Sequence, residues 1–440
     1  MALKGYLSFL IIAILFFAVG FGAGYFYMVN EYNKLNSEYL ELKEEYNRLL
    51  TGNFTELQEA YNELLQNYTQ LKSIIEEKKI KAAWIYVGPI GDYGWTHAHD
   101  VGRRICEATF PWLETAYAES VSEADVERYI DMFISEGYNV IFTTSFGFMT
   151  ATIEAGEKHP DVIFFHCSGY MRRPNVGTYF AEFYQLYYLN GLMAGALTKT
   201  GKIGYIAAHP IPEVIRHINA FTLGVREVNP NATVYVRWLF KWYDPAGARA
   251  AAEALINEGC DVLAFTEDSP TVVEVGEEYT NKGKPVYTFA HYSPMYQYGK
   301  NSCVSGQLVH WEVIYLDILS KIYTGIYNST NLENVDYWWM LREGAVELGC
   351  DYGMPINPKF VPILKSKFVI DPILGNVSVY DLVFIRLRQM SEDTVVFDPF
   401  TGPIYDQDGK LKIPPGVRAS HDDLWNMMWF VQGVVGQIPG

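Results

Sequence analysis

The rhythm of hydrophobic positions along this 440-residue chain changes twice. From Tyr6 to Val29 they run almost unbroken, with no charge among 24 residues. At the helical rise per residue such a run covers roughly 36 Å, enough for the hydrocarbon core of a bilayer with some tilt. From Tyr32 the pattern becomes sparse and regular. Tyr32, Tyr39 and Tyr46 recur every seven residues, as do Leu35, Leu42 and Leu49, which is an a/d heptad seam. Past Gly52 the phase slips by one residue and resumes with Phe54, Leu57, Tyr61, Leu64, Tyr68, Leu71 and Ile75. Two short coiled-coil segments hinged at Gly52 are predicted, with one amphipathic helix docked on the body as the alternative.

From Lys81 short apolar runs alternate with helical periods. Residues 82–88, 139–145, 161–169, 202–208, 233–240, 260–268 and 285–293 read as buried strands. Residues 123–137, 183–199, 215–228, 245–259 and 272–283 read as helices, most of them ending in Gly or a basic residue. Strict alternation implies parallel sheets with helices on both faces, and so many strands imply two α/β lobes. The predicted domains are a transmembrane anchor (1–30), a coiled-coil stalk (31–79) and a two-lobed body (80–440).

Charge and cysteine content narrow the classes. A formal net charge of −17 without any Lys/Arg block argues against nucleic acid as a partner. The five cysteines show no CxxC spacing, so no zinc site is expected. Their odd count leaves at least one thiol free or intermolecular; a Cys303–Cys350 disulfide is conceivable but not readable from sequence. Lys4 before the apolar run and Glu31 after it orient the body outside the cell, as a single-pass membrane protein. A cleaved signal peptide fits less well, because the run is long and lacks a clear A-x-A site. Sequons at Asn53, Asn67, Asn231, Asn328 and Asn376 are compatible with an exported chain.

Ligands of parallel α/β sheets sit at the carboxyl ends of strands, and aromatic and polar residues gather there. The first strand delivers Asp92, Tyr93, Gly94 and Trp95; later ones deliver Ser145 and Phe146, then His166 and Tyr170, then Trp242, then Asp268 and Ser269, then His291. Individually each has a plainer reading: Asp92 or Asp268 as a helix N-cap, Trp95 as core. Collectively they describe a cleft with flat apolar walls and a few polar groups that fix orientation. No G-x-S-x-G, Walker loop, H-E-x-x-H or G-x-G-x-x-G follows a strand, and His97 and His99 diverge on a helix. An enzyme is not expected, and no cofactor or metal.

Six stretches carry a resemblance: YVGPIGDYGWTHAHDVGRR (86–104), IFTTSFGFM (141–149), KTGKIGYIAAHPIPEVIRHINAFTLGVREVNP (199–230), WYDPAGARAAAEALINEGCDVLAFTEDSP (242–270), YWWMLREGAVELG (337–349) and PFTGPIYDQDGKLKIPPG (399–416). From about Lys81 to the C-terminus, in order, they resemble the basic membrane protein family, in its purine-binding branch of ABC importer substrate-binding proteins. The resemblance implies a type I periplasmic-binding-protein fold that binds a purine base or nucleoside between its lobes and delivers it to a membrane permease. It further implies that Trp95 stacks on the ring, that Asp92 and its turn orient the loop or meet the ring edge, that Phe146 and Trp242 add aromatic walls, and that Ser145, Asp268 and Ser269 meet the polar edge. The chain departs from the family at Ser293-Pro294, where relatives usually carry an acid, which opens the choice between base and nucleoside and makes His291 or Tyr292 substitutes. It departs again in having an apolar helix and a stalk in place of a lipid-modified cysteine. Two alternatives are a sensor ectodomain of the same fold and a nucleoside-processing enzyme.

Overall fold

The computed structural model describes residues 37, 40–46, 54–77, 79–392 and 396–439. The expected anchor, Tyr6 to Val29, and much of the first stalk segment lie outside these residues. Among the described residues no helix is long and apolar enough to cross a membrane. The second stalk segment is the helix α1 (Phe54–Glu77), where Tyr61, Leu64 and Tyr68 of the heptad seam are exposed.

The body divides into two units. One comprises residues 1–87, 101–179 and 312–337, and the other 88–100, 180–311 and 338–440. The first is built on β1 (Ile80–Ile85), β2 (Leu113–Ala118), β3 (Val140–Thr143), β4 (Ile163–Cys167) and β5 (Val176–Ala181), parallel in the spatial order β2-β1-β3-β4-β5, with Asp336–Trp339 on the β5 edge. The second repeats that order with β6 (Lys202–Ala207), β7 (Thr233–Trp238), β8 (Val262–Thr266), β9 (Tyr287–Tyr292) and β10 (Cys303–Val309), as β7-β6-β8-β9-β10. Val346–Leu348 adds an antiparallel strand beside β10, and Val434–Val435 a parallel one beside β7. In such an order chain connections leave in opposite directions on either side of the strand pair β1/β3 or β6/β8. A crevice opens at the carboxyl ends of that pair.

The five predicted helical stretches all form, and further helices, among them Met149–Lys158 and Trp311–Tyr323, lie outside them. The helices include α2 (Trp95–Thr109), α3 (Val126–Ser135), α4 (Met149–Lys158), α5 (Tyr184–Leu197), α6 (Pro212–Val228), α7 (Pro245–Asn257), α8 (Thr271–Asn281) and α9 (Trp311–Tyr323). Gly137 and Gly259, just past α3 and α7, take φ of +86° and +98°, the left-handed conformation that lets a helix stop. Asp244 caps α7 through the Gly247 N–H (3.1 Å), followed by Pro245 in the first turn. In the second unit Ile206, Leu255, Leu263, Phe265 and Val272 form the core between β6, β8 and the helices α7 and α8. All five cysteines are buried free thiols, so the Cys303–Cys350 disulfide is absent, although these two side chains are neighbours.

Candidate functional site

Residues 88–100 join the second unit, and their turn lies against the carboxyl ends of its strands. Gly94 is the point of closest approach. A β-carbon there would sit 2.6 Å from the Asp268 Cα and 2.9 Å from its carbonyl carbon, so only glycine lets the two backbones meet. The Ser293 hydroxyl donates to the Gly94 carbonyl (3.3 Å), and the Trp95 N–H donates to the Asp268 carboxylate. Ser293 therefore fastens the turn.

Asp92 is consumed by the turn itself. One carboxylate oxygen accepts from the N–H groups of Gly94 (2.8 Å) and His97 (2.9 Å), the other from Thr96 (3.0 Å). Burial raises its carboxyl above the ordinary range, against these three donors, which pull it down. Asp92 lies two residues before Gly94-Trp95, where α2 begins, and its carboxylate holds the loop onto the first turn of that helix. Tyr93, left-handed at φ +56° and exposed, stacks on His97 (4.9 Å).

Asp268 behaves in the opposite way. The cap position of α8 is Pro270, and the N–H of Thr271 goes to the Ser269 hydroxyl (3.3 Å), so Asp268 caps nothing. Its side chain is buried, and its Oδ1 has no hydrogen-bond partner. Burial pushes its carboxyl well up, and the charges of Asp92 and Glu267 push the same way. The Glu267 carboxyl is likewise raised by burial, and it accepts from the Ser269 hydroxyl (2.8 Å). With its proton given to Glu267 and its oxygen to Thr271, Ser269 is occupied. The Asp268 N–H donates to the Trp242 carbonyl (2.8 Å), and the Trp242 ring lies 5.0 Å from His209.

Trp95 is 6% exposed, inside a cage of His99 (4.6 Å), Tyr292 (5.1 Å), Trp311 (5.2 Å) and Phe180 (6.3 Å). The aromatic wall continues from Phe180 to the half-buried Trp338 and Trp425 (5.8 and 6.2 Å). Both rings flank the buried Arg216 guanidinium (4.9 and 5.6 Å). Arg216 and His217 share the Glu182 carboxylate; burial alone would raise Glu182, but these partners hold it at about 2. His291 sits deeper, its Nδ1 bonded to Gln307 (2.9 Å) and Tyr187 (3.0 Å), and burial keeps its imidazole neutral.

The remaining expected residues belong to the first unit. Ser145 is buried and precedes a short helical turn without capping it, with Phe146 half-buried beside it. Tyr170 is exposed. His166 bonds to Thr143 (2.8 Å) and is pulled down to about 3 by burial. The structure thus brings together Asp92, Gly94, Trp95, Trp242, Asp268 and Ser269. To these it adds Tyr292, the substitute named from the sequence, and Phe180, Glu267 and Trp311, whose only sequence signal was an aromatic or acidic residue beside a strand end. Among the described residues no cluster of metal-binding type occurs.

The family model for Bmp, the PnrA-like ABC transporter substrate-binding proteins, matches residues 79–364. A purine-binding protein of Brucella abortus is 33% identical over 82% of this chain and 95% of its own length. A putative ABC transporter glucose-binding protein of Haloferax volcanii is 38% identical over 64% of this chain and 69% of its own. Among solved structures, an ABC transporter solute-binding protein from Aeropyrum pernix superposes with a TM-score of 0.60 at 17% identity, covering 78% of this chain and 95% of its own, a likeness of fold.

Proposed function

Because the chain belongs to the Bmp family of PnrA-like ABC transporter substrate-binding proteins, we propose that it binds a purine base or nucleoside at the carboxyl ends of β6 and β8 and hands it unchanged to a membrane permease. The observation that carries this reading is Asp268: buried, free of any capping duty, with one carboxyl oxygen lacking a partner. A buried acceptor left without a partner costs about 1–3 kcal/mol, which a ligand N–H would recover. That oxygen is an acceptor placed for the exocyclic amine or ring N–H of a purine edge. Aromatic surface from Trp95 and Trp242 supplies the flat wall, and base stacking adds roughly 1–3 kcal/mol. The Brucella relative's purine binding supports the same ligand class.

The Haloferax relative's name favours a second reading, a sugar, for which the carboxyls would accept hydroxyl protons. Calorimetry with adenine, adenosine, guanosine and glucose separates the two. Asp268→Asn keeps the shape and replaces an acceptor by a donor. Purine binding that weakens at least tenfold in this variant supports the reading; equal affinity, or heat only with glucose, sinks it. Trp95→Ala is a poorer test, because deleting a caged ring also leaves a cavity.

We further propose that the run Tyr6 to Val29 tethers the body outside the cell, and that the exposed Tyr61, Leu64 and Tyr68 face of α1 pairs with a second copy.

A further inference from the structure

Beyond α9 the second unit carries α10 (Val361–Ser366), a hairpin of Phe368–Asp371 and Gly375–Ser378, and α11 (Val379–Ser391). The hairpin shows its apolar side chains to solvent. Ile370 is 82% exposed, Ile373 88% and Phe368 60%, and Leu374 and Ile363 stand out beside them. A cluster of this kind is rare on a surface without a partner.

The display is held rigidly. Asp371 is buried, and one of its carboxylate oxygens accepts from the N–H groups of Ile373 (2.8 Å) and Leu374 (2.7 Å), while the other pairs with Arg386 of α11. Gly375 closes the turn at φ +73°. The strand faces alternate, so Asp371 points inward and Phe368 and Ile370 point outward. A buried ion pair thus fixes two isoleucines and a leucine in water.

Charge singles out the occupant. Between Tyr352 and Asp381 the chain has Lys359, Lys365 and Lys367 and one acid, Asp371, which Arg386 neutralises, in a protein of net charge −17. Lys365 and Lys367 are exposed on either side of Ser366, directly before the hairpin. A specific protein interface needs about 800 Å² per partner from some 20–30 residues. The eleven residues from Phe368 to Ser378 are too few for that. A bilayer asks only for a few apolar side chains at the acyl boundary with basic residues at headgroup level.

We propose that this hairpin is a docking tip for an anionic lipid surface, with Ile370, Ile373 and Leu374 entering the acyl boundary and Lys365 and Lys367 meeting phosphate headgroups. The test uses the full chain reconstituted in vesicles of equal parts phosphatidylcholine and phosphatidylglycerol. A nitroxide is placed on Ile373→Cys or, as a second reporter, Ile370→Cys; the native thiols are all buried. Val417→Cys, on another exposed segment, serves as the water reference. At the tip, oxygen accessibility is expected to exceed that to a water-soluble nickel chelate, and the reverse at the reference. Lys365→Gln and Lys367→Gln should each lower the docked-to-free ratio about fivefold, the worth of one basic residue at an anionic surface. Asn376, paired with Ile370, lies in a sequon, so a glycan there should abolish docking. Tip labels that report water on these vesicles overturn the proposal. Spin–spin coupling between tips of two copies, or burial only when other membrane proteins are present, assigns the hairpin to a protein partner and overturns it equally.

Discussion

Gly94→Ala tests the contact on which the site depends. The new methyl would meet the Asp268 Cα at 2.6 Å and its carbonyl carbon and Cβ at 2.9 Å. Ordinary contact begins at 3.4 Å, so the turn must retreat by about 0.8 Å (3.4 − 2.6) from atoms that are mostly backbone and cannot rotate away. Overpacking of this kind costs about 1–3 kcal/mol. The retreat also stretches the Ser293 bond to the Gly94 carbonyl and the Trp95 N–H bond to Asp268, each worth about 0.5–1.5 kcal/mol and more where a charge is involved. A displacement costing about 2 kcal/mol corresponds to roughly 30-fold weaker ligand binding if the docked turn is the binding form. Gly91→Ala, three residues earlier in the same loop, is the matched control, because its methyl would meet nothing within 4 Å. Calorimetry with adenosine, a member of the proposed ligand class, and hydrogen exchange over residues 92–99 and 265–270 should show a large effect at Gly94 and none at Gly91. Identical behaviour of the two variants would refute the close approach and, with it, this placement of the turn.

The buried imidazoles should weaken the fold in acid. His99, His166, His217 and His291 are all held below the ordinary imidazole range by burial, so protonation favours the unfolded chain; the stability is intact above about pH 6.5 and is lost as pH falls. The raised carboxyls of Asp268 and Glu267 act with the opposite sign, so the His166 share is read by difference: at about 3 it accounts for roughly 2 kcal/mol by pH 5, the stability of His166→Gln should fall by that much less than the parent's between pH 7.5 and 5, and equal losses in the two proteins would contradict this. Arg216→Met strands the buried Glu182 carboxylate and should cost about 3–5 kcal/mol in chemical denaturation, with Glu182→Gln added to it recovering part of the loss. Leu64→Glu on α1 should convert an associated, detergent-solubilised full chain to monomers by light scattering; a monomeric parent would leave the stalk as a spacer.

Local periodicity determined most of the architecture. The predicted strands at 139–145, 202–208 and 260–268 lie on β3, β6 and β8, because continuous apolar runs between helical periods have few other ways to be buried. Two of the strands that periodicity missed have physical reasons. Leu113–Ala118 is a sheet edge with only its two end residues buried, and Cys303–Val309 places Ser305 and Gln307 in the core, tolerable because Pro355 and Asn190 supply hydrogen-bond partners. At the site, sequence found the residue types at strand ends but could not rank them. Asp92 and Asp268 look alike in sequence, each an acid between a strand and a helix. Three local N–H groups claim Asp92, whereas Pro270 and Ser269 take over the start of α8 and leave Asp268 uncommitted. Capping is a contest among near neighbours, decided by backbone angles that composition does not reveal. The meeting of Gly94 with Asp268 joins residues 174 positions apart (268 − 94), and only the folded sheet brings them together.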